Sequence, residues 1–351
     1  MVLLMALIVV VLAWAVGSII EVGGVSCSPQ NISLTINDED GVLDLASALD
    51  CSDGTFTVTW VGSLAIPQTL TVTDGTSLTI IGEDAGSALD GRGVTGPLIF
   101  VDGSSSALTL RNLGVKRGSG FYGGAISALT SAAVNIVNCT FSENDASQSG
   151  GAIYAGSGAF LGISGSTTFY RNTALSSGGA IMAGLSSIEL VGSTSFVENI
   201  AGWYGGAILI SDGEKLTVNG ASTFFSNSAF DGGAIYAEDS LVTIEGIANF
   251  TGNSAEDQGG AITAYGSSLL SISGDTLFSG NSAREEGGAL RLTLEASLEI
   301  NGQTVLFLNN TAGVYGGAIS LFSSSDSSVI AIQGTTEFVK NFAGTNGGTA
   351  N

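Results

Sequence analysis

The chain has 351 residues, 52 of them glycine, and its 9 basic and 31 acidic residues give a net charge of −22. A chain this acidic repels phosphate backbones and anionic membranes, which argues against nucleic acid binding and against docking on an anionic bilayer. The sequence contains no histidine, so it lacks the most common general base and the most common metal ligand.

The first part of the chain is an apolar run without charge, residues 2–20. We interpret residues 1–20 as an export segment outside the fold. Ala13 and Ala15 fit the small residues of a signal peptidase site, whereas the length of the run fits an uncleaved anchor. Residues 1–20 are therefore predicted to be a signal peptide or a signal anchor, and any membrane contact is expected through this segment alone.

Residues 21–54 are predicted to form an irregular N-terminal cap, with one or two helical turns at 43–49. Export permits disulfides, and Cys27 and Cys51 form the candidate pair in this cap. Cys139 is expected to be a buried free thiol, because it lies two residues before Phe141 and shares its direction along a strand. Residues 55–122 contain alternating apolar runs at 55–60, 69–73, 77–81 and 107–110, which indicate β-helix coils of another sequence type.

Residues 123–351 form a repeat array. Gly-Gly-Ala followed by Ile or Leu occurs eight times, the doublets starting 27 to 31 residues apart, and Phe-x-x-Asn also occurs eight times. Such a period is typical of stacked units that cannot bury a core alone. Each unit contains three short strands separated by turns. The sequence therefore predicts an all-β protein, a parallel β-helix of roughly eleven coils spaced by the strand-to-strand distance.

Stacking places equivalent residues of successive coils above one another. The phenylalanine column is expected to fill the core, and the asparagine column is expected to bond turn backbone groups. We interpret both motifs as structural, and their members are Phe141, Asn144, Phe169, Asn172, Phe196, Asn199, Phe224, Asn227, Phe250, Asn253, Phe278, Asn281, Phe307, Asn310, Phe338 and Asn341.

The strand after each doublet predicts a second column that points outward. Tyr154, Met182, Leu209 and Tyr236 occupy this column in four consecutive coils. As an exposed apolar ribbon they are the candidate binding face. The alternative is that a neighbouring loop covers them or that they only shield the sheet, and both interpretations remain open.

The doublet and Phe-x-x-Asn repeats of residues 123–351 resemble those of the chlamydial polymorphic outer membrane proteins. The resemblance implies a right-handed, pectin-lyase-like β-helix and a surface-exposed adhesin. The expected function is therefore an exported adhesin or recognition rod at the cell surface, or at the outer membrane if the host is bacterial. Its expected partner is a protein or glycan receptor on another cell. Self-association is also expected, because the array stops inside a repeat and is expected to be incomplete at that end.

Two other functions remain open: a purely structural surface or matrix protein, and a polysaccharide-active β-helix enzyme. An enzyme would need paired carboxylates on one face, and the candidate clusters are residues 38–40, 256–257 and 285–286. Acidic loop residues are usually solvated, and Arg284 and Arg291 are expected to pair with Glu285 and Glu286 at the surface. We therefore predict no enzymatic activity, no cofactor and no dedicated metal site. Candidate glycosylation sites, relevant to a eukaryotic host, are Asn31, Asn138, Asn249 and Asn309.

Overall fold

A computed structural model of the chain describes residues 30–50, 54–73, 75–302, 304–323 and 328–344. The predicted export segment, the candidate disulfide between Cys27 and Cys51, and the last residues of the array, 345–351, lie outside the described residues. In the described ranges, no helix is long and apolar enough to cross a membrane.

The N-terminal region is more regular than its sequence indicated. It contains a strand, Gln30–Ile36, and a helix, Glu39–Leu49, which is longer than the one or two turns expected. Asp38 caps the helix, since its carboxylate accepts a hydrogen bond from the backbone N–H of Gly41 at 2.9 Å. Glu39 and Asp40 occupy the first turn, where negative charge is favourable. The acidic cluster at 38–40 thus marks the start of a helix.

The rest of the described chain is a parallel β-helix of about eleven turns, which confirms the predicted fold class. Its largest sheet has 21 strands, which form two parallel ladders side by side. The ladders are joined in the middle coils, where the long strands Phe160–Tyr170 and Ser187–Val197 each contribute to both. The strands of this sheet are Gln30–Ile36, Gly54–Trp60, Ser63–Ala65, Thr76–Gly82, Ala88–Asp90, Ala107–Arg111, Gly114–Lys116, Ala133–Val137, Thr140–Ser142, Phe160–Tyr170, Ser187–Val197, Lys215–Val218, Ala221–Phe225, Leu241–Ile244, Ala248–Thr251, Leu269–Ile272, Thr276–Ser279, Ser297–Ile300, Thr304–Leu308, Ile330–Ile332 and Thr335–Val339.

Two smaller parallel sheets complete each coil. The nine-stranded sheet comprises Ser119–Tyr122 and the eight strands that follow the Phe-x-x-Asn motifs, Asp145–Ser149, Thr173–Ala174, Ile200–Ala201, Ser228–Asp231, Ser254–Gln258, Ser282–Ala283, Thr311–Ala312 and Phe342–Ala343. The ten-stranded sheet comprises two strands of the earlier coils, Leu70–Val72 and Ile99–Asp102, and the eight strands that follow the glycine doublets, Ile126–Leu129, Ile153–Gly156, Ile181–Gly184, Ile208–Ser211, Ile235–Glu238, Ile262–Tyr265, Leu290–Thr293 and Ile319–Phe322. Equivalent residues of neighbouring coils pair in register, as between Tyr154 and Met182.

The glycine doublet makes the corner between these two smaller sheets. Its first residue adopts a positive φ, 70° at Gly123 and 64° at Gly178, which side chains disfavour. Its second residue packs against the next coil so closely that a Cβ on Gly151 would collide with the carbonyl oxygen of Gly179. Both positions therefore require glycine for backbone reasons.

The core contains the phenylalanine column. Its rings stack with centroids 4.6 to 5.0 Å apart from Phe141 to Phe338. All members are fully buried except Phe338, which is half-buried in the last described coil. Cys139 is buried and free, as expected, and burial raises the pKa of its thiol to about 11.

The asparagine column is a continuous hydrogen-bonded ladder beside the core. The side-chain amide of Asn172 donates to the Asn199 carbonyl oxygen at 2.9 Å and to the backbone oxygen of Phe141 at 3.1 Å. The same Asn199 oxygen accepts the backbone N–H of Asn172 at 3.0 Å. Each amide therefore bonds the coil before it and the coil after it, and buried turn groups find partners.

Candidate functional site

One long side of the β-helix carries side chains that neither the core nor the ladder uses. In each coil these are the residue before the doublet and the fourth and sixth residues after its first glycine. We call this side the doublet face. Its three columns are Tyr122, Ser149, Ser177, Tyr204, Asp231, Gln258, Glu286 and Tyr315; Ser127, Tyr154, Met182, Leu209, Tyr236, Thr263, Arg291 and Ser320; and Leu129, Gly156, Gly184, Ser211, Glu238, Tyr265, Thr293 and Phe322.

The candidate binding residues all lie in the middle column of the doublet face, but they do not form an exposed ribbon. Tyr154 and Met182 are half-buried, whereas Leu209 and Tyr236 are each only 5% exposed. The expected exposure is therefore wrong for the last two. Tyr236 is buried because Tyr204, which directly precedes a doublet, packs against it: their ring centroids are 4.5 Å apart. Leu209 pairs in register between Met182 and Tyr236, so it lies between two large neighbours.

The same arrangement recurs three coils earlier, where the ring of Tyr122 lies 4.7 Å from that of Tyr154. Sequence reasoning missed this first column. A signal existed, since Tyr122, Tyr204 and Tyr315 each directly precede a doublet. A tyrosine at this corner is large enough to reach over the adjacent strand.

Exposed aromatic side chains concentrate on and beside the doublet face. Among the described residues, nine aromatic side chains are exposed. Six of them are on this side: Tyr122, Tyr265, Tyr315 and Phe322 on the face itself, and Phe121 and Trp203 one residue before its first column. The other three are Phe160, Phe225 and Phe342.

A cleft of about 280 Å³ opens where the middle column has a short side chain. Thr263 pairs in register between Tyr236 and Arg291, which are both much longer. The hydroxyl of Thr263 bonds the backbone oxygen of Gln258 at 3.1 Å, so it does not fill the gap. The lining residues are Tyr204, Asp231, Tyr236, Glu238, Gln258, Thr263, Tyr265 and Thr293.

The two carboxyl groups of this cleft are poorly solvated. Burial and the nearby charge of Asp257 raise the pKa of Asp231 to about 6, against lowering by the backbone N–H of Gln258 and by Arg291. Burial and the charges of neighbouring aspartates also raise the pKa of Glu238. Burial and, to a smaller extent, the negative charge of Glu238 raise the pKa of the Tyr236 phenol. In the described part of the chain neither carboxylate has a basic partner within ion-pair distance.

Arg291 lies beside this cleft but its charge is compensated. Its guanidinium forms an ion pair with Glu286 at 2.6 Å and donates to Gln258 at 2.9 Å. It also donates to Ser320 at 2.8 Å and is only 4% exposed. The predicted pairing of Arg291 with Glu286 is therefore confirmed, but its expected surface position is wrong, because Glu286 and the amide of Gln258 enclose the buried guanidinium. Arg284, which was expected to pair in the same way, is exposed.

The remaining sequence candidates are scattered over the molecule. Glu256 and Glu285 are exposed, and Asp257 is half-buried. Within the described ranges, no three His, Cys, Asp or Glu side chains are grouped so as to hold a metal ion. Of the candidate glycosylation sites, Asn249 is half-buried and the others, Asn31, Asn138 and Asn309, are exposed.

Replacing Asp231 by Asn is expected to stabilise the fold at pH 7.5 by about 1–2 kcal/mol, after discounting for solvent screening. The folded-state pKa of about 6 exceeds the usual aspartate value of 3.8, so the folded protein binds more protons than the unfolded chain between these pH values. The contribution of Asp231 to stability is therefore present at low pH and lost as pH rises through about 6. Urea unfolding at pH 4 and pH 7.5 measures both effects.

The exposed Asp145 offers a matched control. Asp145→Asn removes the same charge at the start of a strand of the nine-stranded sheet. The unfolding free energy of this variant is expected to equal that of the wild type at pH 4 and at pH 7.5. An Asp231→Asn variant whose unfolding free energy equals that of the wild type at pH 7.5 would contradict the burial of that carboxylate.

Comparison with known proteins identifies the repeats. The family model of the Chlamydia polymorphic membrane protein repeat matches six segments, residues 138–156, 166–184, 221–238, 248–265, 275–293 and 304–321. Each segment contains one Phe-x-x-Asn motif and the doublet that follows it, so the matches confirm the resemblance seen in the sequence. No curated protein and no solved structure matches the chain.

Proposed function

We propose, from the premise that this chain is built from polymorphic membrane protein repeats, that it is a recognition rod which binds a receptor on another cell without catalysis. The repeats belong to a surface-associated family, which gives the chain a surface role. The proposal adds to that role a binding function and a location for it, the doublet face.

The clustering of exposed aromatic side chains carries this proposal. Six of the nine exposed aromatics of the described residues lie on or beside the doublet face. Aromatic residues are enriched at the centres of protein interfaces, where their large surfaces are buried on binding. On this face the rigid coils hold the rings at fixed positions, which lowers the entropy lost when a partner docks.

The absence of catalysis is supported by how the acidic groups are used. Asp38 caps a helix, and Glu286 pairs with Arg291. The sequence has no histidine to act as a general base. A β-helix is also shared by proteins of unrelated functions, so the fold alone is no argument for an enzyme.

Replacing Phe121 and Trp203 together by Ser is expected to weaken cell binding at least tenfold, because these side chains are 59% and 53% exposed and offer the largest free apolar surfaces beside the face. The measurement is titration of the labelled, purified chain on intact cells to saturation. The matched control replaces Phe160 and Phe225 by Ser, since they are 41% and 42% exposed but lie on the 21-stranded sheet. The control is expected to bind like the wild type.

Circular dichroism establishes that both double variants are folded. Equal loss of binding in the two variants would show that general hydrophobicity, and not the doublet face, holds the receptor. Absence of any saturable binding by the wild-type chain would contradict the proposal and favour a structural surface or matrix protein.

A further inference from the structure

The cleft around Thr263 carries negative charge that the described protein leaves uncompensated. Asp231 and Glu238 line it without a basic partner, and Asp257 adds charge from the adjacent coil. Arg291, whose charge lowers the pKa of Asp231, is already paired with Glu286. A carboxylate kept from water and from a counterion is unfavourable. A cation entering the cleft would therefore gain more there than at an exposed acidic loop.

Two polar groups of the cleft also lack partners. Tyr236 is 95% buried and lines the cleft, and its hydroxyl makes no hydrogen bond within the described part of the chain. The hydroxyl oxygen of Thr293 is buried and has no hydrogen-bond partner there. Buried polar groups normally have partners. These oxygens can both accept hydrogen bonds, which a donor from outside would supply.

The walls of the cleft are aromatic. The ring centroids of Tyr236 and Tyr265 are 6.4 Å apart, wider than the 4.5 Å between Tyr204 and Tyr236, so the rings open towards Tyr265. Tyr265 is 36% exposed and offers free ring surface at the rim. Tyrosine faces attract cations and also pack against methylene groups. The cleft thus combines apolar walls with acceptors and negative charge.

We propose that this cleft binds the cationic side chain of a partner protein, lysine or arginine. The methylenes of such a side chain contact the tyrosine rings, and its N–H groups donate to Asp231, Glu238 and the Thr293 hydroxyl. A basic side chain has several donors and no acceptor, which matches a cleft rich in acceptors. This inference rests on the proposed recognition function and assigns the chemistry of one contact in it.

Two other ligand classes match the cleft less well. A neutral sugar would leave the charges of Asp231 and Glu238 uncompensated. A phosphocholine headgroup would bring a phosphate next to its ammonium group, where the charges of Asp231 and Asp257 repel it. The net charge of −22 likewise favours a basic partner at long range.

Binding is expected to weaken as pH falls below about 6, because protonation of Asp231 removes the charge that attracts the cation. The groups that face this carboxyl are Asp257, Arg291 and the phenols of Tyr204 and Tyr236. The first two act in opposite directions on its pKa.

The test titrates the full chain with N-acetyl-lysine methylamide and N-acetyl-arginine methylamide, followed by NMR of the tyrosine rings. N-acetyl-norleucine methylamide has the same apolar stem as lysine without the charge, and phosphocholine represents a lipid headgroup. At pH 7.5 at least one basic probe is expected to bind ten times more tightly than the norleucine probe and than phosphocholine. Lowering the pH to 5 is expected to weaken that binding at least threefold.

Charge removal inside and outside the cleft separates the site from the overall charge. The double variant Asp231→Asn and Glu238→Gln is expected to bind the basic probe at least tenfold more weakly. The matched control, Glu256→Gln with Glu285→Gln, removes the same charge from exposed positions and is expected to stay within twofold of the wild type. Equal affinity for norleucine, stronger binding of phosphocholine, or undiminished binding by the cleft variant would each overturn the inference.

The cell-binding titration keeps this result distinct from the proposed function. If the cleft variant loses binding of the basic probe and also binds cells more weakly than the wild type does, both the cationic contact and the recognition function are supported. If cell binding depends on Phe121 and Trp203 while the basic probes fail to bind, the cationic contact is wrong and the recognition function stands. If no cells bind saturably, the recognition function fails whatever the probes do.

Discussion

Replacing Asn227 by Ala is expected to lower the free energy of unfolding by about 4 kcal/mol, since four buried hydrogen bonds are lost at about 1 kcal/mol each. The Asn227 amide donates to the backbone oxygen of Phe196 and to Asn253, both at 3.0 Å. Its oxygen accepts the backbone N–H of Asn199 at 3.0 Å and the Asn199 amide at 2.9 Å. Urea denaturation followed by circular dichroism measures the loss.

The large effect arises because the partners stay buried after the substitution. Asn199 and Asn253 are both 0% exposed, so water cannot replace the missing amide without opening the ladder. Asn219 provides the control, because it is exposed and its side chain makes no hydrogen bond to the described residues, while its backbone N–H donates to the Leu190 oxygen. Asn219→Ala is expected to change stability by less than about 0.5 kcal/mol. Comparable losses in the two variants would contradict the ladder as a source of stability.

The sequence predicted the interior of this protein well because stacking fixes it. In a solenoid with a near-constant period, equivalent residues of successive coils fall above one another, so a recurring Phe or Asn indicates a column directly. Phe169 and Asn172 illustrate this: one ring stacks on Phe196, and one amide bonds Asn199. No knowledge of the loops is needed for this inference, since the neighbours in a column are copies of the same residue.

The outer surface was less predictable because its neighbours come from different parts of the coil. Strand alternation places Tyr236 on the outside of its strand, but its burial depends on Tyr204, which lies at a corner of the preceding coil. Arg291 shows the same limit, since its partners Gln258 and Glu286 precede two different doublets. Periodicity within one strand contains no information about how a corner residue leans over the next strand.

The N-terminal helix was underestimated for a local reason. Its first three residues, Glu39, Asp40 and Gly41, are not apolar, so a search for apolar periodicity indicates only residues 43–49. The capping residue Asp38 and the acidic first turn were the better signal, and they extend the helix back to Glu39. The same three acids form one of the candidate catalytic clusters of the sequence, and in the structure Asp38 caps the helix while Glu39 and Asp40 lie in its first turn.

Replacing Phe224 by Ala is expected to lower the free energy of unfolding by about 4 kcal/mol, the range seen when a large aromatic leaves a cavity in a packed core. Its ring lies 4.9 Å from that of Phe196 and 4.6 Å from that of Phe250, and the side chain is 0% exposed. The neighbouring rings are held by strands paired in register, so they cannot close the gap. Thermal and urea unfolding measure the loss.

Phe225 is the control in the same strand, because the alternation of side chains turns it outward and leaves it 42% exposed. Phe225→Ala is expected to change the unfolding free energy by less than about 1 kcal/mol. A larger loss at Phe225 than at Phe224 would reverse the assignment of faces on this strand. The columns are assigned from the in-register pairing of neighbouring coils. That outcome would therefore also contradict the sides of the β-helix assigned to the asparagine ladder and to the doublet face.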